Sequence, residues 1–142
     1  MDQSNAPITI SAIINCAPQL AWNLYTTPDH VRFWNFASPE WHCPAATNEV
    51  IPGGRFDYRM EAKDGSIGFD FEGTFTKVVP KSSIHFMLED NRIVTVEFIE
   101  TARGVRVVET FDAEDENSAE QQKQGWQSIL HNFRKHVESK SN

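Results

Sequence analysis

"SAEQQKQGWQSILHNFRKHVE", residues 118–138, decides the fold. Trp126, Ile129, Leu130, Phe133 and Val137 recur at steps of three and four, the spacing that gathers side chains on one face of an α-helix. Ser118 with Gln121 makes a capping-box pattern at its start, and Arg134, Lys135 and His136 suit the negative C-terminal end of the helix dipole. Gly125 inside the helix costs about 1 kcal/mol against Ala, so its presence predicts the close approach of another backbone. A stripe this long needs an apolar surface to lie on.

That surface lies upstream, in segments of period two. "FDYRM" carries Phe56, Tyr58 and Met60 on one face; "GFDFEGTF" carries Phe69, Phe71 and Phe75; "SIHFML" carries Ile84, Phe86 and Leu88. "RIVTVEFIE" follows with Val94, Val96 and Phe98, and "GVRVVETF" with Val105, Val107 and Phe111. Turn signals separate them: "PGG" at 52–54, "KDG" at 63–65, Pro80, "EDN" at 89–91 and "ARG" at 102–104. An antiparallel meander results. Ahead of it "PITISAII" alternates as a strand, and "APQLAWNLYTTPDHVRFW" (17–34) changes to helical spacing with a break at Thr27-Pro28. Thr27 is placed to cap the second short helix and Pro28 suits its first position. The predicted class is α+β: a curved antiparallel sheet of about six to seven strands around one long C-terminal helix, with two short helices after the first strand. A curved sheet and a single helix enclose more space than side chains fill, which points to a ligand cavity.

The chain of 142 residues reads as one domain over 1–142, ordered over about 7–138 with a frayed tail at 139–142. Hydrophobic residues make up 39% and charged residues 23%, and ten Phe with four Trp supply large apolar area. A net charge of −7 gives phosphate no cationic footprint, so nucleic acid is not an expected partner. No apolar run approaches the ~20 residues that span a bilayer, and "MDQSNAPITI" lacks a signal peptide's basic and apolar regions, so a cytoplasmic protein with no membrane insertion is expected. Cys16 and Cys43, without CxxC spacing, are expected as thiols.

The ordered set "APQLAWNLYTTPDHVRFW", "IPGGRFDYRM", "KDGS", "GTFTKVVP" and "GWQSIL" resembles the START-like, or SRPBCC, superfamily. Within it the chain is most similar to the group related to the C-terminal domain of the activator of Hsp90 ATPase, which includes relatives of polyketide cyclases. The resemblance implies a helix-grip (START/Bet v1-like) fold with a cavity between sheet and helix, and a hydrophobic, aromatic or lipid-like small molecule as ligand. It specifies a container, not a reaction. It also raises an Hsp90-type chaperone as partner, although the chain leaves no room for the separate N-terminal chaperone-binding domain of the eukaryotic activator. A homodimer through an edge strand or apolar surface stays open.

"SPEWHCPAA" (38–46) clusters Glu40, His42 and Cys43 between two prolines. In extended chain His42 and Cys43 point to opposite sides, and His30, His85, His131 and His136 show no HxxxH spacing, so no metal and no cofactor is expected. The resemblance puts this stretch between the short helices and the second strand, at the cavity mouth. Trp41 and His42 then touch a ligand from the rim, or Trp41 closes the core and His42 faces water.

Glu109 is the odd residue, because alternation groups it with Val105, Val107 and Phe111. On a core face a carboxylate must be paired, hydrogen-bonded or protonated, which makes it an acid or base for a cavity ligand. A bulge turning it outward, or pairing with Arg92 or Arg106, is the alternative. Asp70, Glu72 and the run 112–116 read as solvated. Trp34, Phe56, Tyr58, Phe69, Phe71, Phe86 and Trp126 are the expected cavity lining. Binding of an apolar small molecule is thus the leading expectation, and cyclase- or hydrolase-type chemistry on Glu109, His42 or Tyr58 the second.

Overall fold

The computed structural model describes residues 6–140. In chain order the elements are β1 (Ile8–Ile14), α1 (Pro18–Thr26), α2 (Pro28–Val31), β2 (Trp41–Asn48), β3 (Arg55–Ala62), β4 (Gly68–Val79), β5 (Ser83–Leu88), β6 (Ile93–Thr101), β7 (Gly104–Phe111) and α3 (Ala119–Lys140). The strands form one antiparallel sheet in the order β1, β7, β6, β5, β4, β3, β2. β2 through β7 are a meander of sequence neighbours, and β1 joins its far side by pairing Ile8 with Phe111 and Ile14 with Val105. The sheet curls around α3, which lies against β1 and α1 in a helix-grip arrangement.

Alternation places Phe56, Met60, Phe75, Ile84, Phe86, Leu88, Val94, Val96, Phe98, Val105, Val107 and Phe111 on the buried face. On the convex face Arg55 and Arg59 reach Glu72 and Asp70, each at 3.6 Å, across the β3–β4 ladder. Both pairs are exposed and screened by solvent, so they add little to stability.

Three expectations need correction. "WHCPAATN" does not precede the second strand but is that strand, the edge strand β2, whose register shifts between His42 and Ala45, where Pro44 offers no N–H to the ladder. Thr27 occupies the N-cap of α2, yet its side chain makes no capping hydrogen bond; Pro28, with its preset φ, starts the helix alone. Ser139 and Lys140 belong to α3 instead of a tail, and residues 141–142 lie outside the described residues.

The capping box at the start of α3 forms as the spacing predicts. The Gln121 N–H donates to Ser118 Oγ at 3.1 Å, and the Ser118 N–H donates to Gln121 Oε1 at 3.3 Å. Further along, Leu130, Phe133 and Val137 are fully buried against the core that contains Ile14, Val31 and Trp34. No helix of the described residues is long and apolar enough to cross a membrane.

Two glycines have opposite roles. Gly73 sits on the concave face between Phe71 and Phe75; a Cβ there would lie 2.4 Å from the Met87 carbonyl oxygen and 3.0 Å from the Phe56 ring. The ring of Phe56 therefore takes the place of a side chain on β4. At Gly125 a Cβ meets nothing within 4 Å, so the predicted close backbone approach is absent. Gly73→Ala should destabilise the domain by about 1–3 kcal/mol through overpacking, whereas Gly125→Ala should stabilise it by roughly 0.5–1 kcal/mol through helix propensity. Urea unfolding of both variants checks the pair, and a neutral Gly73→Ala would remove the steric account.

Candidate functional site

A cavity of about 240 Å³ lies between the concave face and the N-terminal half of α3. β3 contributes Phe56, Tyr58 and Met60; β4 contributes Phe69, Phe71 and Phe75; β5 contributes Phe86. From α3 come Gln122, Trp126 and Ile129, one helical face. Tyr25 of α1, with Trp34 and Asn35 just after α2, closes one side, and Glu109 of β7 completes the lining together with Arg92 and Glu114. Phe69 is 47% exposed and stands at the edge.

The aromatic rings brace one another. Phe56 is the hub, with centroids 5.0 Å from Tyr58, 5.7 Å from Phe71, 5.3 Å from Phe75 and 5.0 Å from Phe86. Trp126 stacks on Phe111 at 4.0 Å and meets Phe71 edge-on at 6.0 Å, which spaces the helix from the sheet beside the cavity. Such pairs contribute about 0.5–1.5 kcal/mol each beyond the area they bury. The helix start is fixed by Gln122, whose amide donates to the carbonyls of Glu114 and Asn117 and whose Oε1 accepts the Glu114 N–H.

One polar corner interrupts this wall. Glu109 pairs in register with Ile10 and Val96, faces inward and is 6% exposed. Its hydrogen-bond partner is Tyr25, whose hydroxyl donates to Oε2 at a long 3.5 Å. Neither arginine raised as a partner reaches it: Arg92 Nε binds Asp90 at 2.8 Å, and Arg106 is exposed. Burial pushes the Glu109 carboxyl up to about 7, against a smaller lowering by the Tyr25 hydroxyl. Burial, then the Glu109 charge, raises Tyr25 well above the ordinary phenol value. Tyr58 is pushed up to about 12 by burial, and its oxygen accepts a 3.0 Å hydrogen bond from Asn48 Nδ2.

Eight of the residues singled out from the sequence thus share one lining: Trp34, Phe56, Tyr58, Phe69, Phe71, Phe86, Glu109 and Trp126. Trp41 and His42 do not join them. Trp41 meets the Phe69 ring edge-on at 5.9 Å from outside the lining, and His42 lies 3.9 Å from Glu61 on the neighbouring strand. Cys43 is buried, its thiol directed to the Ala45 carbonyl, so Glu40, His42 and Cys43 form no common centre. Among the described residues no group of three or more His, Cys, Asp and Glu is placed to hold a metal ion.

Sequence reasoning missed Tyr25, Asn35, Met60, Phe75, Arg92, Glu114, Gln122 and Ile129 as lining. Gln122 was within reach, since it precedes Trp126 by four and shares its face. Tyr25 lay in the helical stripe of α1, but its meeting with Glu109 is a tertiary fact. So is the contact of His30 with His136, Nδ1 to Nε2 at 2.9 Å, which links α2 to α3 away from the cavity.

The buried carboxyl makes stability depend on pH. From about 4.5 to about 7 the folded chain keeps a proton at Glu109 that the unfolded chain has lost, so stability falls as pH rises through that window. The full loss, present above the folded value, is roughly 3 kcal/mol. Glu109→Gln cannot ionise, so its stability relative to the parent should rise by that order across the window; urea unfolding at a series of pH values checks this, and parallel profiles would sink it.

Comparison with known proteins fits this architecture. The family model described as activator of Hsp90 ATPase homolog 1-like protein matches residues 15–138. The solution structure of an AHSA1-like protein from Aeromonas hydrophila is 42% identical with a TM-score of 0.89, covering 94% of this chain and 93% of that one. A solution structure from Cytophaga hutchinsonii is 37% identical, with a TM-score of 0.79 and coverage of 96% and 93%. A crystal structure from Nitrosomonas europaea shares the fold at 17% identity and a TM-score of 0.79, over 98% and 97% of the two chains. A search of curated proteins gives no match. With the family match running from before α1 almost to the end of α3, the chain belongs to the activator of Hsp90 ATPase homolog 1-like family.

Proposed function

We propose that this domain binds a small, largely apolar molecule in the cavity between the sheet and α3. The observation that carries the reading is a partly open cavity of about 240 Å³ walled largely by aromatic side chains, with the Glu109–Tyr25 pair in its lining. An apolar cavity of about 150 Å³ accepts benzene, so the volume suits a molecule of one or two rings. Burial on three sides by rigid rings, braced by Phe56, supplies affinity without ordering flexible loops.

Acid–base chemistry on the bound molecule is a second reading, favoured by one observation. A carboxyl that titrates at about 7 sits beside a phenol and faces the ligand space. His42, outside the lining, takes no part in it.

A thermal-shift screen against one- and two-ring aromatic compounds tests the binding reading. A ligand at 100 times its dissociation constant adds about 2.7 kcal/mol, which raises the midpoint by roughly 9 °C for a domain of this size. The shift should vanish in Phe71→Ala, which removes a cavity wall, and survive in Phe33→Ala, an exposed residue outside the lining. No shift from any compound in a broad set would count against the reading.

A further inference from the structure

We infer that the cavity receives an amine, an apolar aromatic-bodied molecule whose ammonium group is held by Glu109 at the Tyr25 corner. This rests on the cavity-ligand reading above and names the class of ligand within it.

The argument begins with an imbalance. A carboxylate buried among β-sheet core positions is ordinarily paired with a cation or tied by several hydrogen bonds. Among the described residues Glu109 forms no ion pair with Lys, Arg or His, and it receives one long hydrogen bond, at 3.5 Å, from Tyr25. Its second oxygen takes none among the same residues, yet the carboxyl lines open space. A counter-charge for the ionised carboxyl has room on the cavity side, where Glu109 faces open space.

The surrounding groups favour the same sign. From α1 the neighbour is the Tyr25 hydroxyl, and Tyr58 of β3, close to Tyr25, shares the lining; burial raises both phenols, which keeps them neutral. The flanking sheet positions, Ile10 on β1 and Val96 on β6, are apolar, and α3 presents no charged residue to the lining. Arg92 is the one cationic lining residue and is bound by Asp90 at 2.8 Å. Glu114, also in the lining, is held ionised by its hydrogen bond from Asn117.

Three probes with one aromatic body test this: naphthylmethylamine, naphthylmethanol and naphthoic acid, titrated calorimetrically into the full chain. At about pH 8, where Glu109 is largely ionised and the amine still largely protonated, the amine should bind at least about tenfold more tightly than the alcohol, and the acid weakest. In Glu109→Gln the ratio of amine to alcohol affinity should fall to about one, while Phe33→Ala, outside the lining, should bind all three probes as the parent chain does. At about pH 5.5 the parent chain itself should lose most of that preference as Glu109 takes up its proton, a readout that needs no variant.

If the alcohol and amine bind equally to the parent chain, or the preference survives in Glu109→Gln, the amine assignment is overturned and the apolar cavity stands. If none of the three binds, the cavity reading fails and the assignment with it.

Discussion

The concave face of a seven-stranded sheet has to be covered by one helix of 22 residues, about 33 Å long, and the cover is unequal along its length. Leu130, Phe133 and Val137, in the C-terminal half, are pressed fully into the core beside β1 and α1. Nearer its start, Trp126 lies flat on Phe111 and acts as a spacer, and Gln122 ties the helix to the segment before it. The cavity is the space this unequal cover leaves. It is set by where the helix is anchored, with Trp34 and Asn35 after α2 closing one side.

Because the same rings build the core and line the cavity, the stability of the domain and the shape of the cavity share residues. Phe56 touches four other aromatic rings and also occupies the space over Gly73, so the shape of the cavity floor follows from a glycine on the adjacent strand. Enlarging the cavity by trimming such a ring removes core packing at the same time, at a cost of about 3–5 kcal/mol for a buried Phe. The site can be retuned cheaply only at its margins, where Phe69 is half exposed and Arg92 and Glu114 come from connecting segments.

Much of this was legible in the sequence, because the two periods are strong. Five runs alternating at period two gave the meander from β3 to β7, and steps of three and four gave α3 with its capping box. Glu109 stood out for the same reason: it falls in step with Val105, Val107 and Phe111, and no bulge on β7 turns it out of line. β2 was hidden because "WHCPAATN" has none of the Val, Ile or Phe that mark the other strands and contains Pro44, which a strand tolerates at an edge or a bulge. Tyr25 was hidden because a helical stripe shows which side chains face inward but not which strand they will meet. Gly125 misled, since a glycine in a helix reads alike whether it makes room for a neighbour or faces open space.

The irregular β2 has a consequence beyond the single molecule. A sheet that ends in a straight, fully donating strand invites a second chain to continue it, and repeated pairing of that kind leads to fibres. Here the last strand bends at its shift in register and lacks the N–H of Pro44, so a neighbour laid along it could not keep its hydrogen bonds in phase from end to end. The proline that disguised the strand in the sequence thus guards the β2 edge of the sheet when many copies crowd together, a form of protection against aggregation that needs no charged residue at that point.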